Sequence, residues 1–154
     1  EHDFYFDLEL TKETQTSIWS MAGVLPMFVG LSTQAQAEGI KRVLAKRFLR
    51  EGGLVTTLTT SAQQWDAPNG WAPLQYFAVA GLLRYGHKSL TNDIMRRWLT
   101  TVEASYSQNG KLMEKYDVCQ PRHIATGGEY HVQEGFGWTN GVTKRFYQLL
   151  RRSE

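Results

Sequence analysis

Gln64-Trp65-Asp66-Ala67-Pro68-Asn69-Gly70-Trp71-Ala72-Pro73 places two indoles, a carboxylate, two amides, two prolines and a glycine in ten consecutive positions. This composition suits neither an amphipathic helix nor a solvated linker, and it reads as a structured, turn-dense loop. Sugars are bound by such a mixture. An indole offers its face to the C–H side of a pyranose ring, while Asp, Asn and Gln take hydroxyls in paired hydrogen bonds. The same residues also suit a plainer arrangement in which Trp65 and Trp71 are core aromatics beside a helix start.

Working outward, Pro73 fits the first turn of a helix that runs to about Tyr85, with Leu74, Phe77, Ala78, Gly81 and Leu82 inward and Gly86 as its stop. A further helix is predicted from Ser89 to about Tyr106, its stripe made by Leu90, Ile94, Trp98, Leu99 and Val102, with Asn109-Gly110 beyond its end. Upstream, Ile18, Met21, Ala22, Leu25 and Val29 recur at helical spacing, which predicts a first helix over Glu13–Leu31 capped by Thr11 or Thr14. Ala37, Ile40, Val43, Leu44 and Phe48 predict a second over Thr33–Leu49, stopped by Gly52-Gly53 and antiparallel to the first across a short turn. Leu54 to Thr60 reads as extended. Periodicity is lost from Lys111 to Tyr130, and a last helix starts at Thr139 or Asn140 and runs through Val142, Phe146, Leu149 and Leu150.

The pattern is all-α: helical hairpins joined by long loops. Long connections inside a compact domain are uncommon unless they bind or catalyse, so the loops are expected to carry the function. Hairpins of this kind build an α/α toroid, and five helices amount to somewhat under half of one.

Composition limits the alternatives. Of 154 residues 42% are hydrophobic and 21% charged, as in a soluble globular chain. A formal charge of +2, from 17 basic and 15 acidic residues, is too balanced for a nucleic-acid footprint, and Arg96-Arg97 and Arg151-Arg152 read as solvated helix faces. One cysteine, Cys119, excludes an internal disulfide and leaves the compartment open. The stretch from Ile18 to Leu31 is interrupted by Ser20, Gly23, Pro26 and Gly30 and falls short of the roughly 20 apolar residues of a membrane span. No membrane or nucleic-acid partner is expected, and no metal or cofactor. The opening Glu1-His2-Asp3-Phe4 carries no Met and no basic-then-apolar leader, so the chain is expected to begin part-way through a longer protein.

The decapeptide resembles a signature of the trehalases, glycoside hydrolase family 37, in the form Gln-Trp-Asp-x-Pro-x-Gly-Trp-x-Pro. Two further blocks resemble the family in the same order: Leu112-Met113-Glu114-Lys115-Tyr116-Asp117, and Gly127-Gly128-Glu129-Tyr130 followed by Gln133-Glu134-Gly135-Phe136-Gly137-Trp138-Thr139-Asn140-Gly141-Val142. Asp3-Phe4-Tyr5-Phe6-Asp7 is similar to the strand that precedes the last helices of the family's barrel.

The resemblance implies that residues 1–154 form the C-terminal part of one (α/α)6 catalytic domain with long active-site loops. It also implies a bacterial enzyme, periplasmic with the cytoplasm as the alternative, that inverts configuration while hydrolysing trehalose to two glucoses. Inversion calls for two carboxyl groups roughly 6.5–9.5 Å apart, with a water between base and sugar. The resemblance makes Glu114 the general base and gives Gln64, Trp65, Asp66, Asn69, Trp71, Glu129, Phe136 and Trp138 to the sugar pocket. The matching acid is an Asp upstream of this chain, so the partners implied are trehalose or glucose and the N-terminal part of the same trehalase. Read without the resemblance, Glu114 is an exposed loop carboxylate beside Lys115, and Phe136 and Trp138 suit packing as well as a pocket wall. A non-catalytic sugar-binding module and an inactive remnant are the alternative functions. Where the family carries a longer glycine run, this chain has Ile124-Ala125-Thr126 before two glycines, a change expected to stiffen the loop or alter its closure.

Overall fold

Helix boundaries follow local chemistry over most of the chain. The computed structural model describes residues 3–123, 125, 127–128 and 130–152. Helix α1 (Leu25–Phe28) is a single turn, entered through a 3-10 turn over Met21–Val24 that Ser20 caps by accepting from the Ala22 amide at 3.2 Å. Helix α2 (Gln34–Val43) starts on a capping box between Thr33 and Gln36 and continues as a π-helical turn over Leu44–Phe48. Helix α3 (Ala72–Arg84) has Pro73 in its first turn, and α4 (Lys88–Asn109) ends on Gly110. Helix α5 (Gly137–Arg151) closes the described chain.

Among the described residues three two-stranded antiparallel ladders join these helices: β1 (Leu8–Glu9) with β2 (Thr14–Gln15), β3 (Leu49–Arg50) with β4 (Gly53–Leu54), and β5 (Asn69–Trp71) with β6 (Lys115–Asp117). The chain is thus mainly helical, with short strands that the hydrophobic period does not announce. Among the described residues no helix is long and apolar enough to cross a membrane.

The third, fourth and last predicted helices occur close to their expected bounds, and the second occurs with its final turn widened. The first does not extend over Glu13–Leu31. Thr14-Gln15 lies in β2, the Trp19 carbonyl accepts from Leu58 at 3.1 Å, and the Met21 amide donates to Thr56 at 2.8 Å. Thr14, Thr16, Ser17 and Ile18 are poor helix formers, and the expected inner residues Ile18 and Val29 are 59% and 56% exposed. Nor does α1 form the expected antiparallel hairpin with α2; it packs chiefly on α3. The extended reading of Leu54 to Thr60 holds in part, since only Gly53–Leu54 joins a ladder there, with Val55 bonded to the Phe48 carbonyl at 3.0 Å. Asp3 to Asp7 forms no strand. Phe4 instead stacks on Trp19 and Phe48, at 5.6 and 5.5 Å between ring centroids, and Asp3 pairs with Arg42 at 2.6 Å.

The core joins α1, α2, α3 and α4 through Met27, Ile40, Leu82, Ile94 and Trp98, all without exposed surface. Gln75 is among the polar side chains buried with it. The fully buried Gln75 amide accepts from the Leu54 N–H at 2.8 Å and donates to the Leu54 carbonyl at 2.6 Å, acting as a cross-strand partner for β4. Gln75→Leu would leave both backbone groups buried and unpaired. We expect it to destabilise the fold by about 2–5 kcal/mol, read from urea unfolding.

Helix α5 is tied to α4 by the Tyr147 hydroxyl, which donates to the Glu103 carboxylate. That hydrogen bond, helped by burial and by the negative charge of Glu103, pushes the Tyr147 phenol up to about 12. A raised pKa means that the folded chain holds this proton more tightly than the unfolded chain. The stabilisation is present below the ordinary tyrosine value of about 10 and is lost as pH rises through about 12. In an ultraviolet titration of tyrosinate, Glu103→Gln should return one tyrosine to ionisation at lower pH.

Candidate active site

The β5–β6 ladder brings the first two sequence blocks together, pairing Asn69 with Asp117, Gly70 with Tyr116 and Trp71 with Lys115. The third block joins through Met113 and Glu134, which form an isolated bridge, and through the Glu114 amide, which donates to the Gln133 carbonyl at 2.9 Å. Trp138 Nε1 donates to the Glu114 carbonyl at 3.2 Å and Thr139 Oγ1 to the Met113 carbonyl at 2.7 Å, so the start of α5 clamps the backbone that carries Glu114.

Glu114 is 1% exposed, which rules out the exposed loop carboxylate read from sequence alone. Its Oε2 accepts from Tyr130 Oη at 3.4 Å, while Oε1 accepts no hydrogen bond among the described residues. A buried carboxylate oxygen without a donor is uncommon. The nearest cation is Lys115 Nζ, 3.8 Å from Oε1 on a side chain that has no exposed surface. Burial holds the Lys115 ammonium below the ordinary lysine range, with the Glu114 charge opposing that shift. The ammonium donates to the Gly127 carbonyl at 2.8 Å and, over a longer 3.4 Å, to Gln64 Oε1.

Around this pair the aromatic residues are layered. Trp65 lies flat on Trp71, 4.0 Å between centroids at 7° between planes, and Trp138 meets Trp71 edge-on at 5.7 Å. Phe136 leans on Trp138 at 4.7 Å. Exposure separates their roles: Trp65 is 45% and Trp138 37% exposed, whereas Trp71 is 1% exposed and donates its indole N–H to the Gln64 carbonyl at 3.0 Å. Asn69, also 1% exposed, donates to the same carbonyl at 3.2 Å. Asp66 accepts from Thr57 Oγ1 at 2.7 Å and from Ser61 Oγ at 2.6 Å, so each carboxylate oxygen already holds one hydroxyl.

The structure therefore brings Gln64, Trp65, Asp66, Asn69, Trp71, Glu114, Phe136 and Trp138 into one region. Glu129 lies outside the described residues, as do Ile124 and Thr126 of the altered glycine run. Tyr130 and Lys115 belong to the same cluster and were absent from the predicted site. Their signal was adjacency, since each follows a predicted site residue. No group of three or more His, Cys, Asp or Glu side chains placed to hold a metal occurs among the described residues.

The sequence profile described as Trehalase matches residues 1–151. The chain belongs to the trehalase family. It is 45% identical over 148 residues to the periplasmic trehalase of Pseudomonas aeruginosa, an alignment covering 96% of this chain and 27% of that protein. The structure superposes on the neutral trehalase of Saccharomyces cerevisiae with a TM-score of 0.81 and 30% identity, over 96% of this chain and 26% of the yeast chain. A GH63 mannosylglycerate hydrolase from Thermus thermophilus shares the fold at a TM-score of 0.71 and 20% identity, over 95% of this chain and 33% of that one. This chain thus spans about a quarter of the length of the trehalases it matches and forms a partial portion of a trehalase.

Within this trehalase portion, the stacked indoles should separate by substitution. Trp71→Ala is expected to cost about 3–5 kcal/mol of stability as a buried aromatic deletion. Trp65→Ala should cost about 1 kcal/mol, the scale of one lost aromatic pair. Urea unfolding of the two variants measures both.

Proposed function

We propose that this chain is the C-terminal portion of an inverting α,α-trehalase and supplies its general base, Glu114, with one wall of the sugar site. The observation that carries the reading is the Glu114 carboxylate, buried to 1% exposure with Oε1 accepting no hydrogen bond among the described residues. An acceptor held in that state is suited to take the proton of a water attacking the anomeric carbon. An acid carboxyl protonates the glycosidic oxygen, and one trehalose and one water become two glucoses. For inversion the two carboxyl groups stand roughly 6.5–9.5 Å apart, and we assign the acid to an Asp in the remaining portion of the enzyme.

In this reading Trp65 presents its outer face to a glucose ring, and Phe136, Trp138 and Glu129 complete the wall. Gln64 and Asp66 take hydroxyls with the acceptor capacity their internal hydrogen bonds leave. Asn69 and Trp71, at 1% exposure, support the wall from beneath by holding the Gln64 carbonyl.

The portion is part of an (α/α)6 toroid. Its complement packs along the groove between α3 and α5, where Pro73, Tyr76, Phe77, Trp138 and Val142 make a largely apolar lining. The parent enzyme is bacterial and periplasmic, as the Pseudomonas aeruginosa relative is named.

The test is trehalose hydrolysis by the chain alone and by the chain mixed with the N-terminal part of a trehalase. We expect turnover only in the mixture, reduced by at least about a thousandfold by Glu114→Gln, the scale of losing a general base together with its charge. Turnover by the chain alone would overturn the assignment of the acid to another portion. Binding of trehalose with no turnover in either preparation would favour a sugar-binding module.

A further inference from the structure

Three sequence-distant segments meet at one buried ammonium, and the chemistry of that meeting goes beyond the assignment of a base. Lys115 Nζ donates to the Gly127 carbonyl at 2.8 Å and to Gln64 Oε1 at 3.4 Å, and stands 3.8 Å from Glu114 Oε1. It also lies 5.6 Å from the Trp71 ring centroid and 5.9 Å from that of Tyr130. The Gly127–Gly128 segment has its own seat: the Gly128 amide donates to the Ala62 carbonyl at 2.8 Å. A β-carbon at Gly128 would come within 2.9 Å of Gln64 Cβ.

We propose that Lys115 is a positioning residue, a latch whose ammonium holds the Gly127–Gly128 loop down by the Gly127 carbonyl and, through the same charge, sets the orientation of Glu114. When the loop lies on Ala62–Gln64 the ammonium has its shortest acceptor and its place beside Glu114 Oε1. When the loop lifts, the cation loses that acceptor and its cover, and the carboxylate loses a fixed neighbour. Loop closure and base orientation are then one event. A lysine without exposed surface is expensive to retain for stability alone, because an apolar side chain of similar shape fills such a site at lower cost. A coupling role accounts for a buried charge at this position. The link to catalysis rests on Glu114 being the base, whereas the latch does not.

The experiment is amide hydrogen exchange on the 154-residue chain and its Lys115→Met variant, which keeps an unbranched side chain one atom shorter and removes the charge. We expect the Gly128 amide to exchange about tenfold faster or more in the variant, the scale of one charge-assisted hydrogen bond, while core amides of α3 and α4 keep their rates. Unchanged Gly128 exchange, or loss of protection in step with the α3 and α4 amides, would overturn the latch.

A second measurement does not depend on Lys115→Met folding. In the unsubstituted chain Lys115 should be the slowest lysine to react with a water-soluble acylating ester. Gly128→Ala should raise its labelling about tenfold by lifting the loop from Gln64, with the other lysines unchanged. Labelling of Lys115 that ignores Gly128→Ala would also refute the coupling. Both readouts are independent of trehalose turnover, so failure of Glu114 as the base would leave the latch decided on its own evidence. In the complemented enzyme, Lys115→Met should lower kcat through the base and raise KM through the loop. A change in KM alone would confine Lys115 to the loop.

Discussion

A charged lysine side chain with no exposed surface must be surrounded by acceptors and by polarisable faces, and at Lys115 these come from its neighbour Glu114 and from two other parts of the chain. The Gly127 carbonyl, the Gln64 amide oxygen, the Glu114 carboxylate and the ring of Trp71 all converge there. That requirement explains the local architecture better than hydrophobic burial does. The β5–β6 ladder sets Lys115 directly opposite Trp71, and this register fixes the distance between the tryptophan-rich turn and the segment bearing Glu114. A slip of one residue would turn the ammonium to the other face of the ribbon.

The aromatic layers follow from the same arrangement. Trp71 is stacked on Trp65, meets Trp138 in a T-shaped contact and is tied through its indole N–H to the Gln64 carbonyl, so it serves as a rigid spacer. Rigidity is what an exposed indole needs if it is to present a flat face without losing freedom on each encounter. Trp65 owes its orientation to a stack at 7° on a ring that has nowhere to move. Asp66, bonded to Thr57 and Ser61, fixes the turn that leads into the stack. The helices supply this region with a base plate: Gln75 of α3 holds β4, and the Thr139 hydroxyl at the start of α5 holds the Met113 carbonyl.

Sequence reading was most reliable where periodicity and caps coincide. The stripe from Leu90 to Val102 and the proline at position 73 locate α4 and α3, because an amphipathic face of that length has few other ways to be buried. It failed from Glu13 to Ser20, where apolar residues at helical spacing sit among threonines and serines, and where the backbone beside them bonds to Thr56 and Leu58 across the chain. Tertiary pairing overrode the local pattern there. In the candidate site, motif blocks singled out residues but could not rank their exposure. Nothing in the order Trp65, Asn69, Trp71 distinguishes the half-exposed indole from the two side chains at 1%, since the difference arises from the stack and from the Gln64 carbonyl. Lys115 was visible only as the neighbour of Glu114, and its burial depends on Gly127, twelve residues away in sequence.

That dependence also explains why two glycines are enough at positions 127 and 128. Gly127 adopts φ 86° and Gly128 φ 95°, backbone conformations that residues with a β-carbon rarely take. Each has a specific task there. The carbonyl of Gly127 must turn inward to meet the ammonium, and the amide of Gly128 must reach Ala62 while its α-carbon passes close over Gln64. Ala125, only 7% exposed, shows that a β-carbon is accommodated two residues earlier and is buried there. Glycine is therefore required where the backbone itself serves as ligand to Lys115 and as the contact on Gln64. Ahead of that point Ala125 gives up conformational freedom for burial of its methyl group.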